Sequence, residues 1–348
     1  MKNAKNGTKR AETLQDIAVL AGVSPSTVSR ALQGSSLISD ETRERVQAIA
    51  EEHGYRPNLL GRNLRLKRTN TVAFVIPVDH KEVDYLSDPF LLKFIGVVNV
   101  ALRERDYDML ITQPLGHHAD VVEQYVNAGR ADGLILMGRS TGNHRLLANA
   151  HRRTPVVLWG PNLPGEAFCS VGIDNVAAAQ EATDHLLQQG RRRVAFIGMQ
   201  AGCLESMQRY KGYVRALQHA GRRLDDALVV PGDYSGRSGY EGTKELLARE
   251  ERLDAVFANS DVLALGAMEA LREAGRRVPE DVAVVGFDNI PQGAYVSPPL
   301  TTVSQNLTGE GAELLVEKLL QQIKGHQAEG AVVPHRLVVR GSSGVETP

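Results

Sequence analysis

Apolar and polar positions along this chain change period near residue 70. Up to about residue 56 the period is helical. Leu14, Ile17, Ala18 and Ala21 share one helical face. Thr13 precedes them with Asp16 three residues on, the spacing of a capping box. Gly22 then suits a tight turn, and Ser24 caps a second helix whose first turn holds Pro25. Proline starts this helix because its missing N–H has no partner at that position anyway. Val28, Ala31 and Leu32 form the buried face of the second helix. A third helix is predicted over "SDETRERVQAIAEEHGY", capped by Ser39, with Val46, Ile49 and Ala50 inward and Thr42, Arg43 and Glu44 outward. Two helices joined by a glycine turn make a helix-turn-helix, and the three together make an independent unit over 12–56.

Beyond residue 70 the pattern is apolar runs alternating with amphipathic stretches. The strand-like runs are "TVAFVIP", "YDMLIT", "DGLILMG", "PVVLWG", "RVAFIGM", "DAVFANS", "VAVVGF" and "LTTVSQ". Helices are expected at 89–105, 175–189, 208–220, 262–274 and 308–324. Continuous apolar strands separated by helices imply parallel sheets covered on both faces, here as two doubly wound lobes. Between head and body, "PNLLGRNLRLKR" (57–68) places Leu60 and Leu64 on one face of a short helix that Asn58 can cap. Such a helix is too short to hold alone in water, and Gly61 weakens it further.

Charge sharpens this division. Residues 1–68 carry 12 Lys/Arg and 7 Asp/Glu, net +5; the remainder carries 28 and 34, net −6. A basic head on an acidic body fits a polyanionic partner for the head. The outward face of the second helix offers Ser26, Thr27, Ser29 and Arg30, side chains suited to a DNA major groove and its phosphates. Apolar residues at 42% and charged residues at 23% describe an ordinary globular protein, with no apolar run long enough to span a membrane and no secretory signal expected. The two cysteines, Cys169 and Cys203, make neither a disulfide framework nor a metal site, and the histidines show no metal spacing. Neither a G-x-G-x-x-G after a strand, nor a G-x-x-x-x-G-K-[ST], nor a G-x-S-x-G is present, so no catalytic residue, metal or cofactor is expected.

Ligands in doubly wound folds bind beyond the carboxyl ends of strands. There lie Asp288 of "VVGFDN", Ser260 and Asp261 of "VFANSD" and Trp159 of "VVLWG", while Arg209 opens a helix in "SMQRYKGY". A carboxylate and a guanidinium with an aromatic wall suit a polyhydroxylated ligand. Each has a plainer reading: Asp261 as the cap of "VLALGAMEAL", Trp159 as core, Arg209 and Asp288 as a structural pair.

The runs "TLQDIAVLAGVSPSTVSRAL" and "TRERVQAIAEEHGYRPN", followed by "ADGLIL", "RVPEDVAVVGFDNIP" and "PPLTTVSQ", resemble the LacI/GalR family of bacterial transcription regulators over nearly the whole chain. The resemblance implies an all-α helix-turn-helix head plus hinge, and a two-lobed α/β effector domain like a periplasmic sugar-binding protein, with parallel sheets. Its N-lobe is expected at about 70–161 and 290–320, and its C-lobe at about 162–289 and 321–348. It assigns to DNA binding Thr13, Ser24, Pro25, Ser26, Thr27, Ser29 and Arg30 of the head and Asn58, Arg62 and Leu64 of the hinge. Pro25 and Ser26 fall at the two adjacent base-reading positions, and Leu64 at the leucine wedged into the minor groove. It assigns Trp159, Arg209, Tyr234, Ser260 and Asp288 to the effector, with Arg209 and Asp288 as the gripping pair. Gly160, where the family commonly has aspartate or asparagine, and a long "PVDHKEVDYLSDPF" loop are departures.

The implied protein is a cytoplasmic, ligand-responsive repressor without enzyme activity. Its implied partners are operator DNA, a small sugar-like effector and a second copy of itself, as dimer or tetramer. A transporter's solute-binding protein is the alternative, which the helix-turn-helix head disfavours.

Overall fold

The computed structural model describes residues 13–55, 68–76, 87–113, 121–138, 154–163, 168–250 and 252–344. The chain divides into two compact units, Met1–Arg68 and Thr69–Pro348.

The first unit holds α1 (Leu14–Ala21), α2 (Pro25–Leu32) and α3 (Asp40–Glu52). All three begin as the local chemistry requires. The Thr13 hydroxyl accepts from Asp16 N–H while the Asp16 carboxylate accepts from Thr13 N–H, a complete capping box. Gly22 takes φ 66° and its N–H closes α1 on the carbonyls of Ala18 and Val19. Ser24 caps α2 by accepting from Thr27 N–H, with Pro25 in the first turn, and Ser39 caps α3. Ile17, Ala18, Ala21, Val28, Ala31, Val46, Ala50 and Tyr55 form one buried core, with Leu14, Leu32 and Ile49 half-buried against it.

The second unit has two parallel sheets. The first has the order β11-β5-β4-β3-β1-β2, with β1 Thr71–Val75, β2 Asp108–Thr112, β3 Gly133–Met137, β4 Val156–Trp159, β5 Cys169–Gly172 and β11 Ala331–Val332. The second runs β7-β6-β8-β9, with β6 Val194–Met199, β7 Val229–Pro231, β8 Ala255–Ala258 and β9 Ala283–Val285. Helix α4 (Pro89–Arg103) and α9 (Ala312–Ile323) pack on the first sheet. Helices α5 (Asn175–Gln188), α6 (Leu204–His219), α7 (Gly236–Arg249) and α8 (Asp261–Glu273) cover the second. The expected α/β class and sheet parallelism hold. The exception is β10 (Thr302–Ser304) with β12 (Arg336–Val338), an antiparallel pair joined to β9 through the Val285–Thr301 bridge.

Strand pairing moves the expected lobe boundaries. β5 pairs with β4, so the first lobe continues to Gly172 rather than ending at 161. β11 pairs with β5, which returns residues 331–332 to the first lobe rather than the second, while α9 lies in the first lobe as expected and continues there to Ile323. The stretch Thr301–Ser304, expected in the N-lobe, extends the second sheet instead. The chain therefore crosses between lobes after Gly172, after Ser304 and after Val332.

Helix α7 was absent from the predicted elements, because Gly239 and Gly242 lower its intrinsic helicity. Packing explains both its existence and Gly239. A Cβ on Gly239 would lie 2.1 Å from the Leu263 carbonyl oxygen, and one on Gly266 2.0 Å from that of Gly236. The α7–α8 crossing is closer than any larger residue permits.

In both sheets the first strand lies inside and its neighbours diverge, so a switch point falls between β1 and β3 and between β6 and β8. The carboxyl ends of these four strands define where a ligand cleft must lie.

Candidate functional site

Two sites are built from these elements. On the head, Pro25, Ser26 and Arg30 are exposed along α2, and Thr27 and Ser29 are half-buried. The α2 hydroxyls are tied together: Ser24 Oγ lies 2.8 Å from Ser26 Oγ and 2.9 Å from Thr27 Oγ1, and Gln33 Nε2 donates to Ser29 Oγ at 3.1 Å. Arg30 has no protein partner among the described residues. Its guanidinium is thus the long, unspent donor of this face, while the serines already serve the helix start. Thr13 sits at the opposite helix start, engaged in its cap. Asn58, Arg62 and Leu64 lie outside the described residues.

The second site is centred on Arg209 in α6, only 4% exposed. Its Nε donates to Asn175 Oδ1 at 2.9 Å, its Nη1 donates to the Asn259 carbonyl at 2.6 Å, and its guanidinium carbon lies 3.7 Å from the Phe287 ring centroid. Two hydrogen bonds and a stacked ring hold the fork rigid before any ligand arrives. Nη2 reaches Asp288 Oδ1 at 3.6 Å, so the structure brings the predicted pair together.

Asp288 is 7% exposed and takes φ 113°, a strained conformation for a residue with a Cβ. Its Oδ1 accepts from Gln305 Nε2 at 2.6 Å. Burial pushes its carboxyl well above the usual carboxylate range; Arg209 opposes this, and the carboxylates of Asp261 and Asp88 add to it.

Asp88 was missed as a site residue. It caps α4, its Oδ1 accepting from Phe90 N–H at 2.7 Å and Leu91 N–H at 3.0 Å. Burial raises its pKa, while these N–H groups and Arg209 lower it. The Asp-Pro pair in "LSDPF" was the available signal: an N-cap before an N1 proline at a strand-to-helix junction. Asp88 and Asp288 thus each hold one oxygen on protein donors and bring a carboxylate from each lobe toward one guanidinium.

Other predicted residues are placed differently. Ser260, not Asp261, caps α8, its hydroxyl accepting from Leu263 N–H at 3.3 Å. Asp261 instead turns inward, accepting from Ile290 N–H at 2.8 Å and from the Thr302 hydroxyl at 2.5 Å. It therefore ties α8 to the segment between β9 and β10. Trp159 is core: it is 4% exposed, its ring centroid 5.2 Å from that of Phe94, and Gly311 lies against its edge. Tyr234 is half-buried and places Oη 3.5 Å from Cys203 Sγ; burial raises its pKa well above the usual value.

Asp261 supplies a pH prediction. Burial lifts its pKa to about 7, against hydrogen bonds and nearby arginines that lower it. The folded state then keeps a proton that the unfolded chain releases near pH 4, so stability falls as pH rises from about 4 to about 7, by at most about 4 kcal/mol. Asp261→Asn keeps both partners and removes this contribution. Urea unfolding at pH 5 and pH 8 should show a smaller pH-dependent loss in the variant than in wild type. Equal losses would show that Asp261 is ionised throughout.

A helix-turn-helix head on a two-lobed body, whose cleft holds a rigid buried arginine facing acids from both lobes, defines a ligand-responsive DNA-binding regulator. Comparison with known proteins agrees. The model for bacterial regulatory proteins of the lacI family matches residues 13–58, and that for a periplasmic binding protein-like domain matches 183–343. The HTH-type transcriptional regulator CelR of Thermobifida fusca is 37% identical over 336 residues, covering 95% of this chain and 96% of its own. A structure of the transcriptional regulator CelR in complex with cellobiose superposes with TM-score 0.71 at 34% identity, covering 95% of this chain and 99% of that one. The lac repressor dimer bound to operator and the anti-inducer ONPF shares the fold, with TM-score 0.83 at 24% identity over 95% of this chain and 98% of that one. The chain belongs to the LacI family of bacterial regulatory proteins. It is a ligand-responsive transcriptional repressor of that family.

Proposed function

We propose that the protein acts in the cytoplasm as a homodimer whose operator affinity is set by a small sugar or sugar derivative bound at Arg209 and Asp288. The observation that carries this reading is the clamped guanidinium between Asp288 and Asp88 at the strand ends. Charged donors and acceptors fixed in a buried cleft bind hydroxyls strongly and select their geometry. Tyr234 adds a hydroxyl and an aromatic face nearby; Ser260, spent as a cap, contributes backbone more than side chain. The structure of CelR in complex with cellobiose supports a saccharide.

Dimerisation is supported by a groove on the second lobe of mixed character. Leu265, Met268, Val278 and Val296 line it together with Glu269, Arg272, Arg276, Arg277 and Glu280, and Tyr295, next to Val296 in the chain, is 89% exposed. Apolar groups among charged ones are typical of a protein–protein surface. In the DNA-bound dimer, Arg30 and Ser26 read base edges, Pro25 offers only apolar contact, and Thr27, Ser29, Ser24 and Thr13 contact phosphate. Asn58, Arg62 and Leu64 form the hinge that bends the minor groove. Effector alters DNA affinity only by binding the two conformations unequally, typically by 1–3 kcal/mol.

The test pairs a thermal-shift screen of neutral mono- and disaccharides and their phosphates, cellobiose included, with an operator gel shift. A ligand at 100 times its Kd should add about 2.7 kcal/mol of stability. It should also change operator affinity roughly 5- to 150-fold. No shift with any saccharide would defeat the sugar reading, and a monomer in sedimentation at micromolar concentration would defeat the dimer.

A further inference from the structure

Two glycines end neighbouring strands of the first lobe, Gly138 after β3 and Gly160 after β4. Their lack of side chains leaves a notch at the cleft wall. The notch is occupied from across the cleft: Glu205 Oε1 lies 3.0 Å from where a Cβ on Gly160 would stand and 4.0 Å from that of Gly138. Glu205 is in the first turn of α6, one helical turn before Arg209, so both side chains leave the same face. Its Oε2 is 3.6 Å from Cys203 Sγ, which in turn is 3.5 Å from Tyr234 Oη. Arg209, Glu205 and Tyr234 are thereby neighbours in one continuous wall.

We infer that Glu205 is a specificity-determining residue of the cleft: carried on the second lobe, its carboxylate seats in the notch of the first and there accepts a hydroxyl of an uncharged saccharide. The saccharide rests on the effector reading above; the seat of Glu205 does not. Several features bind the two parts together. Asp88 and Asp288 face the one guanidinium, and Glu205 adds a further carboxylate one helical turn away in the same wall. A phosphate or carboxylate on the ligand would add a further like charge in a poorly solvated site. A hydroxyl donates to a carboxylate with a charge-assisted hydrogen bond instead. Because the acid and its notch belong to different lobes, the seat exists only when the lobes are closed, so Glu205 couples ligand choice to closure.

Cys203 reports the seat without any ligand. Burial, and then the Glu205 charge, push its thiol up to about 11, which keeps it slow to alkylate. In the full-length protein Gly160→Asp sets a second carboxylate against Glu205 and forces the lobes apart. Alkylation of Cys203 by iodoacetamide at pH 8, read by peptide mass spectrometry against buried Cys169, should then rise several-fold. Gly160→Ala should move the rate the same way by less, which guards against misfolding of the aspartate variant. A rate equal to wild type in both variants overturns the seat. Glu205→Gln keeps the shape and loses the charge, and should weaken cellobiose in calorimetry by about tenfold or more. An unchanged Kd, or a wild type that takes glucose 6-phosphate in preference to cellobiose, overturns the ligand assignment. If the wild type binds no saccharide, the effector reading and the hydroxyl contact both fail, while the Cys203 rate still decides the seat.

Discussion

Arg209→Ala is expected to abolish the proposed saccharide response and to destabilise the body by about 3–5 kcal/mol at neutral pH. The ligand loss follows because the guanidinium is the only cation among the described residues that the structure brings within ion-pair reach of Asp288. The stability loss has a separate cause. Removing Arg209 leaves the Asn175 amide oxygen and the Asn259 carbonyl without their donor and Asp288 without its counter-charge. A buried carboxylate without a counter-charge is the costly part, and it can escape by taking a proton. The destabilisation should therefore be smaller at pH 5 than at pH 8. Urea unfolding at both pH values and a cellobiose thermal shift check both halves. Asp288→Asn separates them: it should lose most of the ligand shift with a smaller loss of stability, because the amide oxygen can still accept from Gln305 and the Asp88 carboxylate still faces the guanidinium. A full ligand shift in Arg209→Ala would move the site elsewhere.

Arg30→Ala is expected to remove operator preference while leaving the head folded, as the proposed base-reading role requires. Arg30 is exposed and without a protein partner among the described residues, so its loss should change stability by no more than about 0.5 kcal/mol. A base-reading arginine is worth about 1–3 kcal/mol of discrimination, roughly 5- to 150-fold between operator and scrambled duplex. A gel shift at fixed salt with both duplexes measures the ratio. If binding weakens equally on both, Arg30 contacts phosphate instead, and base reading falls to Ser26 with its neighbours.

The head was legible residue by residue. Its three caps, its glycine turn and its core positions all depend on partners within four residues, and Thr13, Ser24, Pro25 and Ser39 perform as their positions require. The body was legible as a class, since apolar strands alternating with helices admit few arrangements. Arg209 and Asp288 were legible because a charged residue beside a strand end stands out against an apolar run. Asp88 and Glu205 were not, because each looks like an ordinary acid in a helix start. Asp261 illustrates the ambiguity: both it and Ser260 are good caps, and only the approach of Thr302 and Ile290 assigns the cap to Ser260.

Sequence alone thus determined the elements with local causes: caps, turns, buried helix faces, the two-part charge distribution and the parallel α/β class. Tertiary structure decided what depends on residues far apart in the chain. It drew β5 and β11 into the first sheet by pairing, supported glycine-rich α7 against α8, and gathered Asp88, Glu205, Arg209 and Asp288 around one cleft. The physical reason is range. A cap or an amphipathic face is settled by neighbours within one helical turn, whereas a strand's sheet and an acid's counter-charge are settled by whichever element packs beside it.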